Sequence, residues 1–192
     1  MNIAVYSGSF NPLHIGHLAI IRHLIEVAGF DRVYLIVSPK NPLKDGIRPD
    51  SGRERYDAAI AAVNRHFPKS EDGEPGKVLV DDIELGMPEP HYTIRTLDAL
   101  SEREPDNSFT LTIGADNLAD IRRWRDHSRI LKEYGVAVFQ RTGFDLEEIK
   151  ADLLDEDPSF RITILEADMV NVSSTMIREG IARGTDISEY LM

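Results

Sequence analysis

Hydrophobic positions along this chain follow two alternating rhythms. Short apolar runs, partly β-branched, stand at 3–6, 33–37, 78–80, 109–113, 136–139 and 162–165. Continuous apolar runs of this length suit strands buried on both faces, as in a parallel sheet. Between them, apolar residues recur at helical spacing, as Leu18, Ile21, Leu24 and Ile25 do. Helices are predicted over 15–28, 52–66, 93–104, 128–133, 146–154 and 174–183. The alternation predicts an α/β fold: a Rossmann-like doubly wound parallel sheet with helices on both faces. Ligands of such sheets bind beyond the carboxyl ends of the strands, where strand order reverses. Two polar stretches, 39–51 and 68–76, interrupt the pattern and read as loops.

The first apolar run leads into Gly8-Ser9-Phe10-Asn11-Pro12-Leu13-His14-Ile15-Gly16-His17. This is a strand-to-helix junction, where backbone N–H groups of the first helical turn lack internal partners and attract phosphate oxygens. Gly8 lets a ligand approach the main chain. His14 and His17 stand three apart, so both are expected on one helix face, with Gly16 leaving room for a nucleotide. Two imidazoles would then converge on one polyphosphate. A metal site is the competing reading, but zinc takes three or four protein ligands, and no Cys, Asp or Glu stands at matching spacing in this segment. No protein-held metal is expected.

Three further clusters fall at the ends of strand-like runs. Ser38-Pro39-Lys40-Asn41-Pro42-Leu43-Lys44, followed by Arg48, Arg53 and Arg55, is either a solvated charged loop or a source of phosphate-neutralising cations. Gly114-Ala115-Asp116-Asn117 precedes Trp124, the one tryptophan of the chain. The carboxylate could hold a ribose hydroxyl, and the indole either packs in the core or stacks on a planar ring. Val172-Ser173-Ser174-Thr175-Met176-Ile177-Arg178 opens the last helix. Its hydroxyls either cap that helix or form a second anion site with Arg178 one turn on.

Composition narrows the field. The 192 residues, 42% hydrophobic, suffice for one well-buried domain, expected to span 1–192. There is no cysteine, which removes disulfides, thiolate nucleophiles and Cys-based zinc sites. A net charge of −11 opposes wrapping by nucleic acid, whose affinity rests on phosphate neutralisation. No apolar stretch long enough to span a membrane and no export-type leader stands in the sequence, so a soluble, cytoplasmic protein without membrane partners is expected.

Taken together, these residues resemble the nucleotidyltransferase superfamily that carries a His-x-Gly-His motif and a late Ser-x-Thr-x-x-Arg motif. Ser38 through Lys44, Tyr92-Thr93-Ile94 with Thr96-Leu97, Gly114-x-Asp116 with Trp124, and Val172 through Arg178 resemble the bacterial nicotinate-nucleotide adenylyltransferases over roughly residues 2–191. The resemblance implies AMP transfer from ATP to nicotinate mononucleotide, with Mg2+ carried on the ATP phosphates and no covalent enzyme intermediate. It implies that His14 and His17 are catalytic. It places Gly8, Ser9, Phe10, Lys44, Ser173, Ser174, Thr175 and Arg178 at ATP, and Asn41, Thr93, Asp116, Trp124 and Arg125 at the mononucleotide. Where many members carry an aromatic and an acid, this chain has Arg125 and Arg95. Either guanidinium would favour the nicotinate carboxylate if it faces the ring. Homo-oligomer formation is left open.

The same His-x-Gly-His turn occurs in class I aminoacyl-tRNA synthetases and in pantetheine-phosphate adenylyltransferases. The absence of a Lys-Met-Ser-Lys-Ser partner motif opposes the first, and the Gly114-to-Trp124 run opposes the second. A nucleotide-binding regulator without turnover is the reading from a different class, opposed by the intact His14, His17, Lys44 and Arg178.

Overall fold

A computed structural model of the protein describes residues 1–39, 52–68, 76–167 and 172–192. Six strands form one sheet: β1 (Asn2–Gly8), β2 (Arg32–Val37), β3 (Val78–Asp81), β4 (Ser108–Gly114), β5 (Val136–Phe139) and β6 (Ile162–Leu165). The strand order is β3-β2-β1-β4-β5-β6, and every pairing is parallel. Strand order therefore reverses between β1 and β4, which puts the expected ligand crevice at their carboxyl ends. There Tyr6 lies beside Thr112, and Gly114 beside Phe139.

The helices are α1 (Ile15–Glu26), α2 (Gly52–His66), α3 (Thr93–Arg103), α4 (Ala115–Ala119), α5 (His127–Arg129), α6 (Leu146–Glu156) and α7 (Ser174–Ala182). Strand residues alternate between two cores, as a period of two requires. Ala4, Tyr6, Leu35, Ala137 and Phe139 pack with Leu18, Ile21 and Leu24 of α1 and with Ala59 and Val63 of α2. Ile3, Val5, Leu111, Ile113 and Val138 pack on the other face with Ile94 and Leu97 of α3, Leu118 of α4 and Leu153 of α6. Among the described residues no helix is long and apolar enough to cross a membrane.

All six predicted strands are present, and the predicted helices differ mainly at their ends. The helix expected over 15–28 stops at Glu26, and Gly29 follows in a left-handed conformation at φ 74°. The helix expected over 128–133 starts as α5 and continues as a wider π turn, Ile130–Tyr134, closed by the Gly135 N–H donating to the Ile130 carbonyl at 2.8 Å. Short turns at Ile83–Gly86, Ile121–Arg123 and Ser188–Tyr190, like α4, are too brief to show a helical period. Residues 191–192 return to the first turn. Leu191 forms an isolated antiparallel bridge with His14, and Met192 is buried in the α1–α2 core.

Candidate active site

Beyond the carboxyl ends of β1 and β4 lies a cavity of about 370 Å3. Its walls include Gly8, Ser9, Phe10 and His17 from the β1–α1 segment, Thr93 of α3, Gly114 and Trp124 from the chain after β4, Arg141 after β5 and Ser174 of α7. The chain after β1 is tightly specified. A Cβ on Gly8 would stand 3.0 Å from the Phe10 ring, so only glycine fits without displacing it. Phe10 itself adopts φ 42°, a left-handed conformation that costs a non-glycine residue about 1–3 kcal/mol and persists only where its surroundings hold it. Its ring is held edge-on against Tyr6 at 5.5 Å and His17 at 5.3 Å between centroids.

The histidines are not side by side on a helix face. His14 is the N-cap of α1 and only 6% exposed, and its ring stacks on that of His17 at 3.7 Å. The His14 carbonyl accepts from the N–H groups of His17 at 2.8 Å and Leu18 at 3.1 Å, and its own N–H donates to His17 Nδ1 at 3.2 Å. Gly16 serves this stack. A Cβ there would meet the His14 ring at 3.1 Å, so the space expected for a nucleotide admits an imidazole instead. His17 lines the cavity, and His14 lies behind it. Burial, and then the charge of Arg141, lower the His14 pKa to about 4. Burial, the neighbouring His14 and Arg141 hold His17 well below the usual imidazole range. Both rings are therefore neutral at pH 7. With Nδ1 accepting, His17 carries its proton on Nε2, as a donor.

The late motif is bolted to the same turn. Ser173 caps α7 by accepting from the Met176 N–H at 3.2 Å, and Ser174 Oγ donates to the Pro12 carbonyl at 3.2 Å. Arg178 donates to the Asn11 carbonyl at 2.8 Å and to Thr175 Oγ1 at 2.9 Å. Ser174 reaches the cavity wall, whereas Ser173, Thr175 and Arg178 stand outside it. The capping reading of the motif holds at Ser173, and of its residues expected to form an anion site only Ser174 lines the cavity.

Residues 5–180 match a family model described as cytidylyltransferase-like. The chain is 33% identical over 191 residues to a Flavobacterium johnsoniae protein named "Probable nicotinate-nucleotide adenylyltransferase", spanning all of this chain and 92% of that one. It is 36% identical over 187 residues to a protein of the same name from Bacteroides fragilis, covering 97% of this chain and 85% of the relative. The chain belongs to the cytidylyltransferase-like family, among the nicotinate-nucleotide adenylyltransferases. The fold agrees with the solved nicotinic acid mononucleotide adenylyltransferase of Plasmodium falciparum in complex with NaAD, at TM-score 0.77 and 19% identity over 99% of this chain and 90% of that one.

Other expected adenylyltransferase residues fall unevenly around the cavity. Thr93 opens α3, and Trp124, half-buried, packs against the core and also lines the cavity, so its two readings are not exclusive. Asp116 is not a wall residue, but its carboxylate lies 3.8 Å from Arg141 Nε. Arg125 is not brought to the cavity. Its side chain is 65% exposed, paired with Asp126 at 3.4 Å and lying 5.9 Å over the Tyr92 ring. Arg95 is also turned away, donating to the Pro88 carbonyl at 3.2 Å and the Pro90 carbonyl at 2.9 Å. Arg53 pairs with Asp57 and Asp82 at the surface, and Arg55 is buried on backbone carbonyls, so neither stands as a phosphate cation. Asn41, Lys44 and Arg48 lie outside the described residues.

Arg141 is the functional candidate that sequence reading missed. It follows β5 by two residues, lines the cavity, sits 5.0 Å over the Phe139 ring and is half-exposed. Its place beyond the carboxyl end of an inner strand is the same signal that marks Lys44 after β2.

Proposed function

We propose that the protein transfers AMP from ATP to nicotinate mononucleotide, yielding deamido-NAD and pyrophosphate. The supporting observation is that one cavity joins His17 and Ser174 at the phosphate-type turns to Thr93 and Trp124. A phosphate oxygen of the mononucleotide attacks the α-phosphorus of ATP. The new P–O–P linkage forms as the bond from the α-phosphorus to the bridging oxygen of the β-phosphate breaks, and pyrophosphate leaves with that electron pair. Such a transfer rests on alignment and charge stabilisation rather than on a protein nucleophile.

His17 Nε2–H supplies a directed donor to the phosphate chain, and Arg141 supplies a cation in the same cavity. Asp116, beside Arg141, is in reach of a ribose hydroxyl. Among the described residues no carboxylate lines the cavity, and the hard Mg2+ ion prefers oxygen ligands, so Mg2+ is proposed to enter on the phosphates of ATP. Among the described residues, no three His, Cys, Asp or Glu side chains converge as a metal site.

Preference for nicotinate over nicotinamide is assigned to the start of α3. That first turn holds no acid, its Tyr92 cap makes no side-chain bond, and Thr93 lines the cavity. Open N–H groups and the helix dipole there favour a carboxylate over a neutral amide. Stacking of the pyridine ring on Trp124 would set its position. A cytoplasmic setting, with its supply of ATP, goes with this chemistry.

The test is pyrophosphate release with ATP and magnesium, offering nicotinate mononucleotide, nicotinamide mononucleotide and phosphopantetheine separately. Preference for the first is the expected result. Preference for either of the others overturns the acceptor assignment, and silence with all three overturns the activity.

A further inference from the structure

Arg55, in the first turn of α2, is 8% exposed and spends its guanidinium on main-chain carbonyls. Nη1 donates to the Ser9 carbonyl at 2.6 Å, and Nη2 donates to the carbonyls of Ser38 at 2.7 Å and Pro39 at 2.8 Å. One planar fork thus ties the turn after β1 to the chain leaving β2. A second link reinforces it: the Ser7 and Ser38 hydroxyls lie 3.1 Å apart, and the buried Glu84 carboxylate accepts from Thr96 Oγ1 at 2.9 Å and from Ser7 at 3.5 Å.

The consequence lies in the peptide between Ser9 and Phe10. In a trans peptide the carbonyl and the next N–H point in opposite directions. Arg55 draws the Ser9 carbonyl toward α2, so the Phe10 N–H faces away from that helix, and both Ser9 and Phe10 line the cavity. That N–H has no hydrogen-bond partner among the described residues, and Phe10 is held at φ 42°. A charged donor on the carbonyl also polarises the peptide and strengthens its N–H as a donor.

We propose that Arg55 is a positioning residue that aims the Phe10 amide at a ligand phosphate. The inference deepens the proposed function, because it rests on reading that turn as a phosphate cradle. It does not depend on which acceptor takes the AMP. Lysine, a point charge, cannot reproduce a fork shared by carbonyls of two separate turns.

The test is amide NMR on the full chain labelled with 15N-phenylalanine, titrated with inorganic pyrophosphate, with the His17 ring signals as a marker of an intact site. In the wild type both the Phe10 amide and the His17 signals are expected to move. In Arg55→Lys the His17 signals should still move, the Phe10 shift should collapse, and affinity for pyrophosphate should fall about tenfold, the scale of one hydrogen bond to a charged group. Should Arg55→Lys not fold, Arg55→Gln, which keeps two donors without the charge, takes its place with the same expected loss. A Phe10 amide that stays still in the wild type, or moves fully in the variant, overturns the proposal. Failure of the proposed function reads differently, as absent pyrophosphate release from a wild type whose Phe10 amide still responds.

Discussion

The backbone N–H of His14 donates to Nδ1 of His17 at 3.2 Å, and this one bond decides which nitrogen of His17 carries the proton. With Nδ1 occupied as an acceptor, the Nε2–H is left as the donor. His17→Ala removes that donor and is expected to lower kcat by about 100-fold, the usual scale for losing a preorganised donor to transition-state charge. Pyrophosphate-release kinetics measure the loss, and an unchanged far-ultraviolet circular dichroism spectrum shows that the variant folds. A near-normal kcat would remove His17 from this role.

Stability should fall in mild acid. The His14 pKa is about 4 in the folded protein against the usual 6.5, so the unfolded chain binds more protons between those values. A depressed histidine pKa gives stability that is complete above pH 6.5 and lost as pH falls toward 4. Melting temperature without ligand is therefore expected to drop from pH 7 to pH 4.5, with a loss on the order of 3 kcal/mol from this group. A melting temperature flat across that window would contradict the burial of a neutral imidazole.

Arg141 acts on the same imidazoles from a distance, since its charge contributes to lowering both of their pKa values. Arg141→Ala is expected to move the titration of the His14 and His17 ring signals to higher pH in proton NMR. It should also weaken ATP binding by about tenfold through loss of a charge-assisted contact. Unchanged ring titrations would show that Arg141 does not sense the histidines.

Arg125 and Trp124 adjoin in sequence but should behave differently. Arg125 is exposed and paired with Asp126, and such surface pairs carry little energy. Arg125→Ala should leave the ratio of kcat/KM for nicotinate and nicotinamide mononucleotides within about threefold. Trp124→Ala should raise KM for the mononucleotide by about tenfold, since aromatic stacking contributes about 0.5–1.5 kcal/mol beyond buried area. A collapse of the ratio in Arg125→Ala would restore that guanidinium to the ring.

The strands were legible because each is a short apolar run bounded by polar residues, and burial on both faces leaves little else such a run can be. The phosphate turn was legible because Gly8, His14 and His17 carry its chemistry within one short segment. What the pattern could not show is direction. Arg55, Arg95 and Arg125 look alike as cations, and whether each meets carbonyls, solvent or the cavity depends on side chains brought together from distant parts of the chain. Arg141 was hidden for the same reason: its relation to Asp116 and the histidines arises only when β5 lies beside β4.

The bond from Arg178 to the Asn11 carbonyl joins residues 167 positions apart, and Leu191 meets His14 over a still longer span. During synthesis the turn after β1 is made before its braces, with all the other strands of the sheet lying between them in the chain. A nascent chain can therefore pair β1 with its neighbours well before that turn is braced.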